Sequence, residues 1–364
     1  MTSQQSTVER GTEGARALIP VFDGHNDVLL RIESDIDSFF RHNEEGHIDL
    51  PRAQAGGLGG GFCAIFTRSE GERHSHANRK LPKPPYTMPF QPTPDLAAAL
   101  QSTISGIARL SRLESMSSGA LRVIRSASGI EQCLQQGIFA ALLHIEGAEA
   151  IDADLNALEV FHAAGLRSLG PVWSRPNIFA EGVPFGFEVS PDTGKGLTAA
   201  GCDLVRACNR LRIVIDLSHL NEKGFWDVAG LTNAPLVATH SNAWSLCHAT
   251  RNLTDRQLDA IRESDGMVGV NFCVAFLRPD GLSNDDVTVE SIVNHIDYLV
   301  ERIGIERVGF GSDFDGALVP KDLTDAAGLP LLFDALRNRG YDQSALEKLA
   351  HRNWIRVLRK TWGE

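Results

Sequence analysis

Short apolar runs recur along the chain, each followed by a polar or glycine-bearing turn and then by a segment with helical spacing. The runs are ALIPVF ending at Phe22, GFCAIF ending at Phe66, FAALLHI ending at Ile145 and LRSLGPV ending at Val172. They continue with RIVIDL ending at Leu217, PLVAT ending at Thr239, MVGVNF ending at Phe272 and RVGFGS ending at Ser312. Continuous apolar strands of this kind suit a parallel sheet covered on both faces. Helical patterns fall at Leu96–Leu113, Asn156–Ala164, Leu197–Leu211, Glu222–Ala229, Thr254–Glu263, Val289–Ile303, Leu331–Asn338 and Ser344–Lys360. Eight strand–helix alternations predict a (β/α)8 TIM barrel occupying residues 1–364 as one domain. A further short strand, LRVIRS around Val123, precedes the third barrel strand.

Two stretches are too long for ordinary barrel connections. Residues 68–95 are rich in proline and charge, and residues 174–196 are dense in Pro, Gly and Phe. Long loops in compact domains are usually lids or binding loops, and both leave from C-terminal strand ends, where barrel enzymes place their chemistry.

Composition narrows the class. The 364 residues are 43% hydrophobic and 22% charged, with a net charge of −11. This excludes intrinsic disorder and argues against nucleic acid, which is bound through an excess of Lys and Arg. No stretch approaches the roughly 18 apolar residues of a membrane span. The polar N-terminal stretch lacks the apolar centre of a secretory signal, and the charged end RVLRKTWGE carries no lipid-anchor tail. Cys63, Cys133, Cys202, Cys208, Cys247 and Cys273 form no C-x-x-C pair and read as reduced core residues, so a cytoplasmic location is expected.

The chemistry lies at the strand ends. FDGHNDVLL supplies His25 and Asp27, HIEG supplies Glu146, DLSH supplies His219 and ATHSN supplies His240. Asp313 follows the eighth strand in FGSDFDG. Each residue alone has a plain reading: a barrel-mouth histidine, a helix-capping Glu146, or an Asp313 accepting from turn amides. Taken together, residues far apart in sequence converge on one barrel face. Imidazoles with carboxylates suit zinc, and a bridging carboxylate with two further ligands per ion could hold two ions about 3.5–4 Å apart. His74 and His76 form an H-x-H pair in a basic, proline-rich stretch without an apolar strand before it, which argues against a metal role. His144, two residues before Glu146, reads as core, and His248 and Cys247 as packed or solvated.

From about Ile19 to Leu358 the chain resembles the membrane (renal) dipeptidase family of binuclear zinc peptidases. The motifs that carry the resemblance are DGHNDVL, HIEG, IDLSH, THSNA followed by RNLTD, GFGSDFDG and the terminal HRNWIRVL. The resemblance implies that His25 and Asp27 bind one Zn2+, that His219 and His240 bind a second, and that Glu146 bridges them with a water or hydroxide. It further implies that Arg251, eleven residues past His240, grips the substrate carboxylate and that Asp313 is the acid/base group. The implied function is hydrolysis of dipeptides with a free C-terminal carboxylate by a homodimeric enzyme, through a metal-bridged hydroxide. In one place the chain departs from the family: Trp173, in GPVWSRPN, stands where the family places a carbonyl-polarising histidine. An indole donates one hydrogen bond and carries no charge. Either another donor substitutes, with Asn177 and Arg175 as candidates, or the substrate differs. The alternatives are a barrel hydrolase for another amide, an N-acyl amino acid or a lactone, and a zinc-binding protein without catalysis.

Overall fold

The computed structural model describes residues 17–70 and 81–364. The pair His74 and His76 lies outside the described residues. The barrel strands are β1 (Val21–Asn26), β2 (Leu58–Phe66), β3 (Phe139–Glu146), β4 (Ser168–Gly170), β5 (Val214–Ile215), β6 (Val237–Ala238), β7 (Met267–Val270) and β8 (Val308–Phe310). Parallel ladders join β1 through β5 in sequence order, and a second run joins β6, β7 and β8. Two parallel bridges close the ring. Asp216 pairs with Val237 between β5 and β6, and Asn26 pairs with Phe314 between β1 and the segment after β8. The result is the closed (β/α)8 arrangement that the apolar runs predict.

The strand around Val123 (Leu121–Ile124) is accommodated without breaking the ring. It pairs with the first half of β3, Phe139 to Leu142, while β4 takes the same edge from His144 to Glu146. The order of the predicted helices holds, with ends moved by a few residues, as at Leu96–Met116 and Glu222–Leu231. The pattern misses a helix at Ala127–Gln136, whose buried stripe is only Ala127, Ile130 and Cys133. Ser126 accepts from the Gly129 N–H at its start. The expected single helix at Ser344–Lys360 is two helices joined by a π-helical turn at Lys348–Arg352.

Two polar ends belong to strands that the apolar runs stop short of. β1 continues past Phe22 to Asn26, and β3 continues to Glu146. Pairing is backbone chemistry, so a strand persists through polar side chains as long as its neighbours supply partners. Asn26 pairs with Cys63, and Glu146 with both Phe66 and Gly170. His25 and Glu146 are therefore held on rigid strands.

The C-terminal helix Asn353–Trp362 closes the opposite end of the barrel. Its residues reach segments just before several strands: Arg356 donates to Gly266 O, the Trp362 Nε1 to Arg167 O, and Arg212 to Trp362 O. Trp354 is fully buried, its indole 5.1 Å from the Phe62 ring, and its Nε1 donates to Phe310 O at 2.9 Å. A Cβ at Gly24, Gly269 or Gly309 would overlap this indole, so glycine in β1, β7 and β8 makes room for it.

The long loops meet above the other end. Tyr86–Thr87 from the first pairs antiparallel with Gly186–Phe187 from the second, and Thr93 Oγ1 donates to Pro176 O at 2.6 Å. All six cysteines are unpaired, and four are buried. No helix among the described residues is long and apolar enough to cross a membrane.

Trp354→Ala is expected to destabilise the fold by about 3–5 kcal/mol, the cost of emptying a core site of this size. Trp354→Phe, which loses the hydrogen bond to Phe310 O but keeps a ring, is expected to cost less. Urea unfolding of both variants measures the difference.

Candidate metal centre

At the C-terminal ends of the strands the chain gathers a dense set of buried ionisable groups. His25 comes from β1, Asp27 from the residue after it, Glu146 from the last residue of β3, and His219 and His240 from the turns after β5 and β6. One oxygen, Glu146 Oε1, faces all three imidazoles, at 3.1 Å from His219 Nε2, 3.4 Å from His240 Nε2 and 3.8 Å from His25 Nε2. His25 Nε2 lies 3.5 Å from Asp27 Oδ2. The two sets His25–Glu146–His240 and His25–Asp27–Asp313 each bring their ligand atoms within 4.8 Å of one another.

The surrounding hydrogen bonds orient these rings. Thr239 Oγ1 donates to Asp216 Oδ2 at 2.6 Å, so at its 2.8 Å contact with His240 Nδ1 it acts as acceptor. His240 then carries its proton on Nδ1 and turns the Nε2 lone pair toward Glu146, as a metal ligand requires. Asp216 is fixed in turn by the N–H groups of Ser218 and Thr239. His219 Nδ1 lies 2.8 Å from Ser174 Oγ. Neither ring nitrogen of the fully buried His25 has a hydrogen-bond partner among the described residues. An orphaned imidazole nitrogen opposite two carboxylates is what a site built for a cation leaves behind.

Left-handed backbone also occurs at this mouth. His219, Asp313 and Asp315 have φ of 67°, 59° and 66°, in the left-handed region that non-glycine residues rarely adopt. The turn after β8 holds Asp313 by its N–H to His25 O (3.0 Å) and by Asn271 Nδ2 to Asp313 Oδ2 (2.9 Å). Gly316 is required here, because a Cβ would run into the carboxylates of Asp27 and Asp313.

The electrostatics of the bare residues are opposed to one another. Burial raises the Glu146 and Asp313 carboxyls above the usual range, with Asp27 adding to both. Burial favours neutral His25, but the carboxylates of Glu146, Asp27 and Asp313 outweigh it and raise its basicity. Burial, with His25 and Arg251 beside it, holds His240 well below its ordinary value.

The remaining sequence candidates fall into two groups. Arg251 is buried beside the centre, donating to His240 O at 3.0 Å and to Ser241 Oγ at 3.4 Å, with no partner for Nε among the described residues. Trp173 lines the cleft, with its ring centroid 5.7 Å from that of His219. Asn177 instead holds the turn after β4, where its Nδ2 donates to Pro171 O and its Oδ1 accepts from the Phe179 and Ala180 N–H groups. Arg175 is fully buried behind Trp173, paired with Glu149 at 2.8 Å and donating to Thr67 O and Ser69 Oγ. Of Arg251, Trp173, Asn177 and Arg175, only Trp173 is among the residues that line the cleft. His144 sits in the core, its Nδ1 2.9 Å from Ser168 Oγ. His248 is stacked on Trp244 and Cys247 is buried.

Sequence reasoning misses Ser174, Asp216 and Asn271, because a serine, aspartate or asparagine near a strand end carries no signal until its partner is known. It also misses Phe185 and Phe276 on the cleft wall. Phe185 lies in the Phe-rich excursion and Phe276 follows the seventh strand.

A family model described as Membrane dipeptidase (Peptidase family M19) matches residues 14–362. An uncharacterised protein from the pqqA 5′ region of Klebsiella pneumoniae is 52% identical over 71% of this chain and 95% of its own length. The dipeptidase tcpJ of Claviceps purpurea is 27% identical over 93% of this chain and 76% of its own. A crystal structure of a metallo peptidase from Rhodobacter sphaeroides, liganded with a phosphinate mimic of the dipeptide L-Ala-D-Ala, superposes with a TM-score of 0.91 at 48% identity. That match covers 95% of this chain and all of the other. With the family match running through both strand ends and site, the chain belongs to the membrane dipeptidase family, peptidase family M19, and is by that membership a metal-dependent hydrolase.

Proposed function

We propose that the protein is a zinc dipeptidase that cleaves dipeptides bearing a free C-terminal carboxylate. The observation that carries this reading is the single Glu146 oxygen set among the three imidazoles of His25, His219 and His240. In this reading His25 and Asp27 would hold one zinc ion, His219 and His240 would hold a second, and Glu146 would be a ligand to both. The metal would supply a Lewis acid for the peptide carbonyl and a bound water that ionises near neutral pH.

The chain's own groups carry the remaining work. Asp313 accepts the proton of the attacking water at a carboxylate oxygen and returns it to the departing amine, which is otherwise a very poor leaving group. Asn271, holding Oδ2, leaves the other oxygen for this transfer. Arg251 presents a planar guanidinium suited to a carboxylate and is held by its contacts to His240 O and Ser241 Oγ. In this reading it grips the free carboxylate of the residue beyond the cut. The dipeptide mimic bound by the 48% identical Rhodobacter sphaeroides enzyme supports the same substrate length.

Three outcomes are expected. Exhaustive chelation abolishes dipeptide hydrolysis and zinc restores it, as followed by amine release alongside elemental analysis; full activity in metal-free protein rejects the proposal. Asp313→Asn lowers kcat by about 10²–10⁴-fold with metal content unchanged, and an undiminished rate removes Asp313 from proton transfer. Arg251→Ala raises KM for dipeptides with a free carboxylate and leaves the poor turnover of their C-terminal amides little altered; equal losses on both series contradict the clamp.

A further inference from the structure

One wall of the cleft is a continuous aromatic band. The Arg251 guanidinium carbon lies 5.6 Å from the Phe276 ring centroid. Phe276 stacks on Phe185 with centroids 6.1 Å apart and planes within 10°. Phe185 meets Trp173 edge-on at 5.4 Å, and Trp173 lies 5.7 Å from the His219 ring. The band therefore runs from the proposed carboxylate clamp to the floor of the cleft. In a dipeptide bound as proposed, that span is covered by the residue after the scissile bond.

The rest of the lining continues the apolar character with Leu81, Val274, Ala275 and Leu318. Among the described lining residues the ionisable groups are Cys273, whose thiol burial keeps protonated, and the floor residues Asp27, Glu146, His219 and Asp313. The band is rigidly backed. The Arg175 guanidinium lies 5.0 Å from the Phe66 centroid and 5.4 Å from that of Trp173, and is tied to Glu149, Thr67 and Ser69. Trp173 is only 3% exposed. A wall held this firmly does not rearrange cheaply to solvate a charged side chain.

We propose that the cleft selects dipeptides whose C-terminal residue carries a large apolar side chain, with Phe276, Phe185 and Trp173 as the surface that recognises it. The proposal rests on the dipeptidase reading for the direction in which the peptide lies. Burying a phenyl or isobutyl group against such a wall corresponds to a gain of about 10–100-fold in affinity.

The test uses the full-length, zinc-supplied protein and Ala-Xaa dipeptides with Xaa as Gly, Ala, Leu, Phe, Asp or Lys, in both configurations at Xaa. In the preferred configuration, kcat/KM for Phe and Leu is expected to exceed that for Gly, Asp and Lys by about tenfold or more. Phosphinate mimics of Ala-Phe and Ala-Gly, titrated by calorimetry, are expected to show the same order without any turnover. Phe185→Ala, checked by circular dichroism for an intact fold, is expected to bring the Phe-to-Gly ratio within about threefold. Equal affinities for the two mimics, a preference for Asp or Lys, or an unchanged ratio in Phe185→Ala overturns the proposal. Absence of turnover on every dipeptide, with the mimic preference intact, overturns the dipeptidase assignment and leaves the apolar selectivity standing.

Discussion

The structure turns on the crowding of ionisable side chains around Glu146. Three imidazoles face one of its oxygens, and Asp27 and Asp313 add two further carboxyls to the same buried volume. Burial disfavours the charged form of each group, raising Glu146 and depressing His240. A fold tolerates such a cluster only if something holds the side chains in place. Here the barrel does so, by presenting each residue from a different strand end. Cations at the centre would relieve the mutual repulsion of the carboxylates, which is why the arrangement suits a metal hydrolase.

The support is layered outward from that point. Asp216 orders Thr239, and Thr239 orders His240. Asn271 fixes Asp313, and Gly316 clears the space in front of Asp27 and Asp313. Positive φ at His219 and Asp313 costs on the order of 1–3 kcal/mol each, and it persists because closed ladders on both sides leave the chain no alternative path. At the far end of the barrel, Trp354 and the glycines around it fill the space the strands enclose.

Trp173, at the position where the sequence resemblance implies a histidine, has an effect that reaches beyond one residue. The neutral indole is packed with Phe66 and Phe185 and backed by the buried Arg175–Glu149 pair. An arginine in this segment reads from sequence as a substitute donor, yet its guanidinium is spent on Glu149, Thr67 O and Ser69 Oγ behind the wall. Asn177 is likewise engaged by backbone groups of its own turn. The segment after β4 thus builds an apolar surface where a polar one was expected.

The barrel and the cluster of candidate ligands were legible in the sequence because both write themselves locally. A buried parallel strand needs an unbroken apolar run, and a strand-end motif such as FDGHND or DLSH carries its polar residues within a few positions of that run. The strand limits at Asn26 and Glu146 were not legible, since backbone pairing ignores side-chain polarity and depends on which neighbour lies alongside. Nor was the division of labour among Trp173, Arg175 and Asn177: each residue type allows several roles, and the choice is made by partners such as Glu149, Pro171 and Phe185. Residue type and local pattern are properties of the chain. Partnership between distant segments exists only after the ring has closed, so the orientation of His240, the hold on Asp313 and the aromatic wall were decided by the tertiary structure alone.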